Sequence, residues 1–335
     1  MAGGGGHRVR PGRAVRRECG APLNATRYVL GIDAGGTKTR AILADETGRV
    51  VGSALGGGAN LRTHGELEVE KVLHAVIEEA CADGPATPEA VALGIAGADR
   101  PPDEAVLRAI LRRIGFKSRV VVTNDARIAF VAGSELRVGL ALVCGTGSIA
   151  WGRNRAGEIA RSGGWGWHLG DEGSGFWIGE RAIREVLRAA DGRGPSTRLD
   201  RALSKHFEIA EPEQILYAIY DREFPRTRVA KFAARVEEAA IAGDAVAKAI
   251  LSDAAAELVR AASSVRDRLG LEEAPYDVVL SGGTFAAVPS LEVDVARRLQ
   301  TPHARVRRLV EEPAMGAVKL AIEALGAPAA GASAP

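Results

Sequence analysis

The sequence predicts an α/β fold built as two related domains that face each other. Three observations carry that expectation. Short apolar runs alternate with stretches of helical spacing, as strands flanked by helices do. A pattern of strand, Gly-Thr turn, strand, polar turn, strand occurs twice: Gly36-Thr37 precedes Gly48 by twelve positions, and Gly145-Thr146 precedes Gly157 by the same twelve. The length of 335 residues suits two domains, each able to bury its own core.

Order is expected to begin near Arg27. Tyr28-Val29-Leu30-Gly31-Ile32 reads as a buried strand, and residues 39–43 and 50–54 continue it as a meander across the polar turn Asp45-Glu46-Thr47-Gly48. Leu67, Val69, Val72, Leu73, Val76 and Ile77 recur at helical spacing and predict a helix over 66–82. A strand over 90–95 follows, then a helix over 103–114 whose Asp103 and Glu104 suit the positive N-terminal end. A strand over 119–123 ends in Asn124-Asp125. The second cycle sets strands at 139–143 and 148–152 around Gly145-Thr146-Gly147, then a turn over 153–157 and a third strand, Glu158-Ile159-Ala160. Helices are predicted over 179–190, 212–218, 229–243 and 245–269. A strand over 276–280 runs into Ser281-Gly282-Gly283-Thr284, and helices over 291–299 and 314–325 close the chain. The expected organisation is an extension over 1–26, a domain over 27–136 joined by the helix 314–325, a domain over 137–313 and a disordered tail over 326–335.

The composition is ordinary for a globular protein, with 46% hydrophobic and 26% charged residues and a net charge of +2. Nothing in that total calls for nucleic acid or a membrane as partner, and no apolar run is long enough to span a bilayer. The first 26 residues differ: they hold a glycine run, Arg8, Arg10, Arg13, Arg16 and Arg17 and one acid, Glu18. A nucleic-acid-binding arm or a targeting segment is the functional reading and a disordered extension the expected one. Cys19, Cys81 and Cys144 lie far apart, outside any metal-ligand spacing, which fits a reducing, cytoplasmic compartment.

Chemistry gathers in five segments. Gly31-Ile32-Asp33-Ala34-Gly35-Gly36-Thr37-Lys38-Thr39 approaches a P-loop, but Thr37 intrudes before Lys38, and β-alternating residues follow where a P-loop would open a helix. The glycines therefore belong to a strand–strand turn. Gly35 and Gly36 would bring phosphate close to backbone N–H groups, Thr37 adds a hydroxyl and Lys38 a charge. Asp33 could hold Mg²⁺ directly or through water. A plain glycine hairpin with a capping Asp is the alternative. Cys144-Gly145-Thr146-Gly147-Ser148 is a second such turn at the equivalent place, with Cys144 a small buried hydrophobe. In Thr123-Asn124-Asp125-Ala126 the acid ends a buried strand, where α/β proteins place their chemistry. Asp125 is either a general base for an attacking hydroxyl or the N-cap of the next helix.

The fourth segment runs Ser162-Gly163-Gly164-Trp165-Gly166-Trp167-His168-Leu169-Gly170-Asp171-Glu172-Gly173-Ser174-Gly175. The chain has four tryptophans, and two stand here among glycines and acids, an apolar face and carboxylates such as a sugar needs. A packed structural loop and a metal site at His168, Asp171 and Glu172 are the alternatives. The fifth segment, Val278-Val279-Leu280-Ser281-Gly282-Gly283-Thr284, offers glycines after a strand where a flat ring such as adenine could approach.

Taken together and in order, these segments resemble the N-acetylglucosamine kinase group of the BadF/BadG/BcrA/BcrD-type ATPases, within the actin/hexokinase/Hsp70-like superfamily. The resemblance spans about residues 28–325. Its most specific part is the pair Gly163-Gly164-Trp165-Gly166 and Gly170-Asp171-Glu172-Gly173-Ser174. It implies two ribonuclease-H-like (actin-like ATPase) domains with an interdomain cleft, an ATP-dependent kinase with Mg²⁺, and a hexosamine acceptor, N-acetylglucosamine first, phosphorylated at the 6-hydroxyl.

By the same resemblance, Gly35, Gly36, Thr37, Lys38, Gly145, Thr146 and Gly147 would bind the ATP phosphates and Gly282 and Gly283 the adenosine. Asp125 would be the catalytic base. Asn60, Asn124, Asp125, Gly164, Trp165 and Asp171 would contact the sugar, and the relatives point to a homodimer. The sequence departs at Ala96, where the N-acetylglucosamine kinases compared carry a serine near the sugar, and at Ser162 and Gly175, where the vertebrate type has Cys and Ala. Glucosamine, and a partner-driving ATPase, remain the alternatives. The cysteine-rich zinc motif of repressor-family glucokinases and the iron–sulfur cysteines of dehydratase activators have no counterpart here.

Overall fold

The computed structural model describes residues 1, 26–82, 84, 87–98, 100–116, 119–220 and 225–326. The expected extension over 1–26 and tail over 326–335 fall almost wholly outside the described residues, as does Cys19.

The first half runs β1 (Tyr28–Ala34), β2 (Lys38–Asp45), β3 (Val50–Gly57), α1 (Leu61–Cys81), β4 (Ala90–Ile95), α2 (Pro101–Ile114), β5 (Val120–Thr123) and α3 (Asp125–Gly133). The second half begins with β6 (Gly139–Cys144), β7 (Ser148–Arg153), β8 (Ile159–Gly163), α4 (Gly175–Ala190), α5 (Leu199–Phe207), α6 (Ile215–Ile219) and α7 (Arg226–Lys231). It continues with α8 (Ala233–Ile241), α9 (Ala245–Arg268), β9 (Tyr276–Ser281), α10 (Gly283–Ala287), α11 (Pro289–Leu299), β10 (Ala304–Arg308) and α12 (Pro313–Gly326).

These strands form two five-stranded sheets, ordered β3-β2-β1-β4-β5 and β10-β9-β6-β7-β8. Read from the other edge, the second order is the first with each strand's counterpart in place. Each sheet is an antiparallel meander whose first strand pairs in parallel with a later strand, which in turn pairs in parallel with the next. The twelve-position echo between the two Gly-Thr turns is thus the trace of a repeated topology.

Three cores follow from the pleat, which sends alternate residues to opposite faces. Leu30 and Ile32 of β1 pack with Leu93 of β4 beneath Leu73 and Val76 of α1 and Leu107 of α2. Leu140, Leu142 and Leu280 pack beneath Ile178 of α4 and Leu258 of α9. Val29 and Ala92 of the first sheet and Ala141, Trp151 and Val279 of the second meet in a third core, joined by Ile128 and Phe130 of α3 and Val318 and Leu320 of α12. Small residues permit that closeness: a methyl group at Gly316 would lie 1.9 Å from the Ile128 carbonyl oxygen. The segment between α3 and β6 is tied down by fully buried Asp277, whose carboxylate accepts from Ser134 Oγ (2.8 Å), Leu136 N (2.9 Å) and Arg307 Nη2 (2.7 Å).

Several elements depart from the sequence reading. The helix expected over 229–243 is α7 and α8, parted at buried Phe232, whose N–H bonds to the Val229 carbonyl three residues back in a local tightening of the helix. Gly283, given no element by the sequence reading beyond following a strand, opens the short helix α10. Strand β10 and helix α5 were not foreseen. β10 carries Arg305, Arg307 and Arg308 in five residues and only Ala304 is buried; it survives as an edge strand, where charge is tolerated. No helix among the described residues is long and apolar enough to cross a membrane.

Candidate active site

The C-terminal end of β1 collects the first set of functional side chains. Gly35 N donates to Lys38 O (2.9 Å), closing the β1–β2 turn, and Ala59 N donates to Gly35 O (2.9 Å), drawing the segment after β3 onto that turn. A methyl group at Gly58 would lie 2.4 Å from the Gly36 carbonyl oxygen, so the two loops are interlocked. Asn60 caps α1, its Oδ1 accepting from Arg62 N at 3.0 Å. Ala96 N donates to Ala34 O (3.0 Å), which brings the loop after β4 alongside. Gly97 there adopts φ +87°, and a methyl on it would stand 3.7 Å from Asn60 Nδ2.

Asn124 and Asp125 arrive from the end of β5. Asn124 is the N-cap of α3, its Oδ1 accepting from Arg127 N at 2.8 Å. The capping role left open for Asp125 therefore belongs to its neighbour, and Asp125 sits in the first helical turn, accepting from Ala126 N at 3.0 Å. Burial first, and then the Asp125 carboxylate, push the Asp33 carboxyl up to about 7, against the pull of Lys38. Desolvated Asp33 at the end of β1 thus lies within the field of Asp125 at the start of α3, beside the glycine turn. The structure brings Asp33, Gly35, Gly36, Thr37, Lys38, Asn60, Asn124 and Asp125 to one edge of the first sheet.

The second sheet supplies a matching edge. The β6–β7 turn has its carbonyls engaged from behind: Gly145 O accepts from Gly175 N (2.9 Å) and Thr284 Oγ1 (2.8 Å), and Thr146 O accepts from Phe176 N (3.3 Å). Gly282 at φ +114° lies directly on this turn, where a methyl would meet Cys144 O at 2.2 Å. Cys144 is buried, which pushes its thiol well above the usual range, and its Sγ donates to Gly173 O. It is the inert hydrophobe expected.

Asp171 anchors the tryptophan loop to the same turn. Its side chain accepts from the Ser148 and Gly166 N–H groups and packs so closely on Gly147 that a methyl there would lie 2.6 Å from Asp171 Oδ2. Burial raises its carboxyl, opposed by those N–H groups and by Arg226. Its left-handed φ of +58° is a strained conformation for a non-glycine residue, of the kind found at functional sites. Gly164 precedes Trp165, which is 53% exposed with the Arg161 guanidinium 4.5 Å from its ring centre. Trp167 instead packs on Phe176 with ring centres 5.4 Å apart.

Three glycines carry a different signal. A methyl at Gly36, Gly145 or Gly283 would meet nothing within 4 Å, and none of the three has a left-handed φ. Neither the chain's packing nor its backbone demands glycine there, so bare backbone is left facing open space in both turns and beside the start of α10.

The donors present define what metal fits. No group of three or more His, Cys, Asp or Glu among the described residues could hold an ion, which removes the His168, Asp171 and Glu172 reading. The desolvated Asp33 beside Asp125 fits a Mg²⁺ ion that keeps waters and takes its remaining ligands from phosphate.

Sequence reasoning missed three cations. Arg226 opens α7, stands 5.5 Å from the Trp167 ring centre, and is pushed down by burial against the field of Asp171. Arg161 and Arg100 flank Trp165, the latter from the first sheet's side at 5.6 Å. Arg100, next to Gly94-Ile95-Ala96-Gly97-Ala98-Asp99, and Arg161, next to Ser162, each lay beside a segment the sequence had marked.

Known proteins resemble this chain over most of its length. The chain is 34% identical over 300 residues to an N-acetylmuramic acid/N-acetylglucosamine kinase of Clostridium acetobutylicum, covering 88% of this chain and 98% of that protein. It is 31% identical over 312 residues to an N-acetyl-D-glucosamine kinase of Dictyostelium discoideum, covering 88% and 97%. A crystal structure from Chromobacterium violaceum, assigned provisionally as an N-acetylglucosamine kinase, superposes with a TM-score of 0.73 at 28% identity, over 88% of this chain and 98% of that one. The model of one family covers residues 30–332, and by that match the chain belongs to the BadF/BadG/BcrA/BcrD ATPase family.

Proposed function

We propose that this protein is an ATP-dependent kinase that phosphorylates a hexosamine, N-acetylglucosamine foremost, at the 6-hydroxyl. The observation that carries this reading is desolvated Asp33, facing the Asp125 carboxylate, beside a glycine turn where a methyl at Gly36 would meet no protein atom within 4 Å. The two curated relatives, each matched over almost its whole length, support the substrate class.

Phosphoryl transfer asks the protein mainly for positioning and charge stabilisation. Gly35, Gly36, Thr37 and Lys38 on one lobe and Gly145, Thr146 and Gly147 on the other hold the triphosphate, with Gly282 and Gly283 against the adenosine. Asp33 would hold Mg²⁺, directly or through water, and the ion would supply positive charge against the phosphates. Asn60, Asn124, Gly164, Trp165 and Asp171 hold the sugar. Asp125 accepts the hydroxyl proton as the new O–P bond forms and the bond to the β-phosphate oxygen breaks, leaving ADP. The lobes, residues 27–136 with 314–325 and residues 137–313, close to exclude water as the competing acceptor.

A second acceptor, glucosamine, is favoured by one feature: Ala96 puts a methyl group, not a hydroxyl, next to Gly97, which itself faces Asn60. ADP release under Mg²⁺–ATP with N-acetylglucosamine, glucosamine and glucose separates these readings. One hexosamine is expected to stimulate turnover strongly, and Asp125→Ala is expected to lower kcat by about 10²–10⁴-fold while ATP still binds. Turnover indifferent to every sugar would replace the kinase by an ATPase that drives a partner.

A further inference from the structure

The glycine turn of the second sheet carries no positive side chain of its own. Lys38 stands beside the β1–β2 turn, but the β6–β7 turn is Gly145-Thr146-Gly147. A carboxylate lies against it instead: Asp171 packs on Gly147 and is partly removed from water, a repulsive neighbour for a triphosphate. A cation on this side would offset that repulsion, and the chain brings one there from far along the sequence.

Three relations set Arg226 beside the turn. Its guanidinium stands 5.5 Å from the ring centre of Trp167, that ring lies 5.4 Å from the ring of Phe176, and Phe176 N donates to Thr146 O at 3.3 Å. One helical turn further along α7, Ala230 reaches the same place: a methyl group on Gly175 would lie 3.1 Å from Ala230 O and 3.2 Å from Gly145 O. Arg226 and Asp171 also lie in each other's field. Close packing on α4 holds α7 there, since a methyl at Gly179 would lie 2.1 Å from Val229 O. Arg226 is half-buried, and among the described residues its guanidinium makes neither an ion pair nor a hydrogen bond.

We propose that Arg226 is a phosphate-binding residue, the second lobe's cation for the β- and γ-phosphates of ATP, opposite Lys38. This rests on the ATP-dependent kinase reading. A guanidinium presents paired N–H donors that match phosphate oxygens, where an ammonium presents a point charge. Placed there, it offsets the Asp171 charge. It also stabilises the negative charge that collects on the β-phosphate oxygen as the bond from that oxygen to the transferred phosphorus breaks, the bond from the sugar oxygen forms, and the hydroxyl proton passes to Asp125.

The test titrates AMP, Mg²⁺–ADP and N-acetylglucosamine into the full chain and into Arg226→Gln and Arg226→Lys, and measures kcat and both KM values under Mg²⁺–ATP. Arg226→Gln is expected to weaken Mg²⁺–ADP binding by about tenfold, to raise the KM for ATP and to lower kcat, with AMP binding unchanged. Arg226→Lys should recover part of each loss. Should Arg226→Gln fail to fold, Arg226→Lys keeps the charge without the fork and carries the same comparison of AMP with ADP. If AMP and ADP weaken by one factor, or neither changes, the proposal fails. It fails too if only sugar binding and the KM for the sugar move, which would make Arg226 a partner of Asp171 in the sugar wall. A wild type that binds neither AMP nor Mg²⁺–ADP would instead remove the kinase reading beneath it.

Discussion

Gly31 and Gly36 belong to one strand and its turn and answer different demands. A methyl at Gly31 would lie 2.4 Å from Val318 N in α12, whereas one at Gly36 would meet nothing within 4 Å. Gly31→Ala must push a helix off the first sheet. Gly36→Ala has room, and shortening the unfolded chain's freedom stabilises by about 0.4–1 kcal/mol where the backbone allows it. The expected outcome is a lower Tm for Gly31→Ala, and for Gly36→Ala an unchanged or slightly higher Tm with a raised KM for ATP. Thermal melts and ATP titrations on the two variants check this. Sequence alone marked both glycines, since each sits in the motif, but could not tell packing from ligand approach. Nor could it split Asn124 from Asp125: both residue types cap helices well, and only the Arg127 N–H direction assigns the cap.

At the scale of elements, the β2–β3 turn shows how a polar sequence becomes a fixed joint. Asp45 Oδ1 accepts from Thr47 N (3.0 Å), Thr47 Oγ1 (2.6 Å) and Arg49 N (3.0 Å), and Oδ2 from Arg49 Nε (3.1 Å). The Thr47 hydroxyl first, then the Arg49 groups, hold this carboxyl down to about 2 against its burial. A carboxyl depressed in the folded state stabilises fully above its unfolded value of about 3.9 and loses that contribution as pH falls through the folded value. Asp45→Asn should therefore lower Tm at pH 7, and the gap from wild type should close between pH 4 and 2, as followed by circular dichroism. The turn was legible because Asp-Glu-Thr-Gly is turn chemistry. β10 was not, because its arginines read as solvated loop until β9 supplies the pairing edge.

The whole molecule depends on what joins the sheets. α3 and α12 lie in the shared core, and Asp277 in β9 fixes the segment that leaves α3. Removing that carboxylate strands buried Ser134 Oγ and takes an acceptor from half-buried Leu136 N–H and Arg307. Asp277→Ala should cost about 3 kcal/mol or more, read by urea unfolding, and should lower kcat as α3, which carries Asp125, loses its anchor. Conservative Asp277→Asn keeps the shape without the charge and should fall between.

Strand and helix order, the repeated meander, the glycine turns and the acids at strand ends were determined by the sequence, because periodicity and turn chemistry act over a few residues. The tertiary structure decided which acids meet and that Arg100 from one sheet stands by Trp165 from the other. Those are contacts between residues far apart in the chain, set by how two sheets dock around α3 and α12, and no local pattern encodes them.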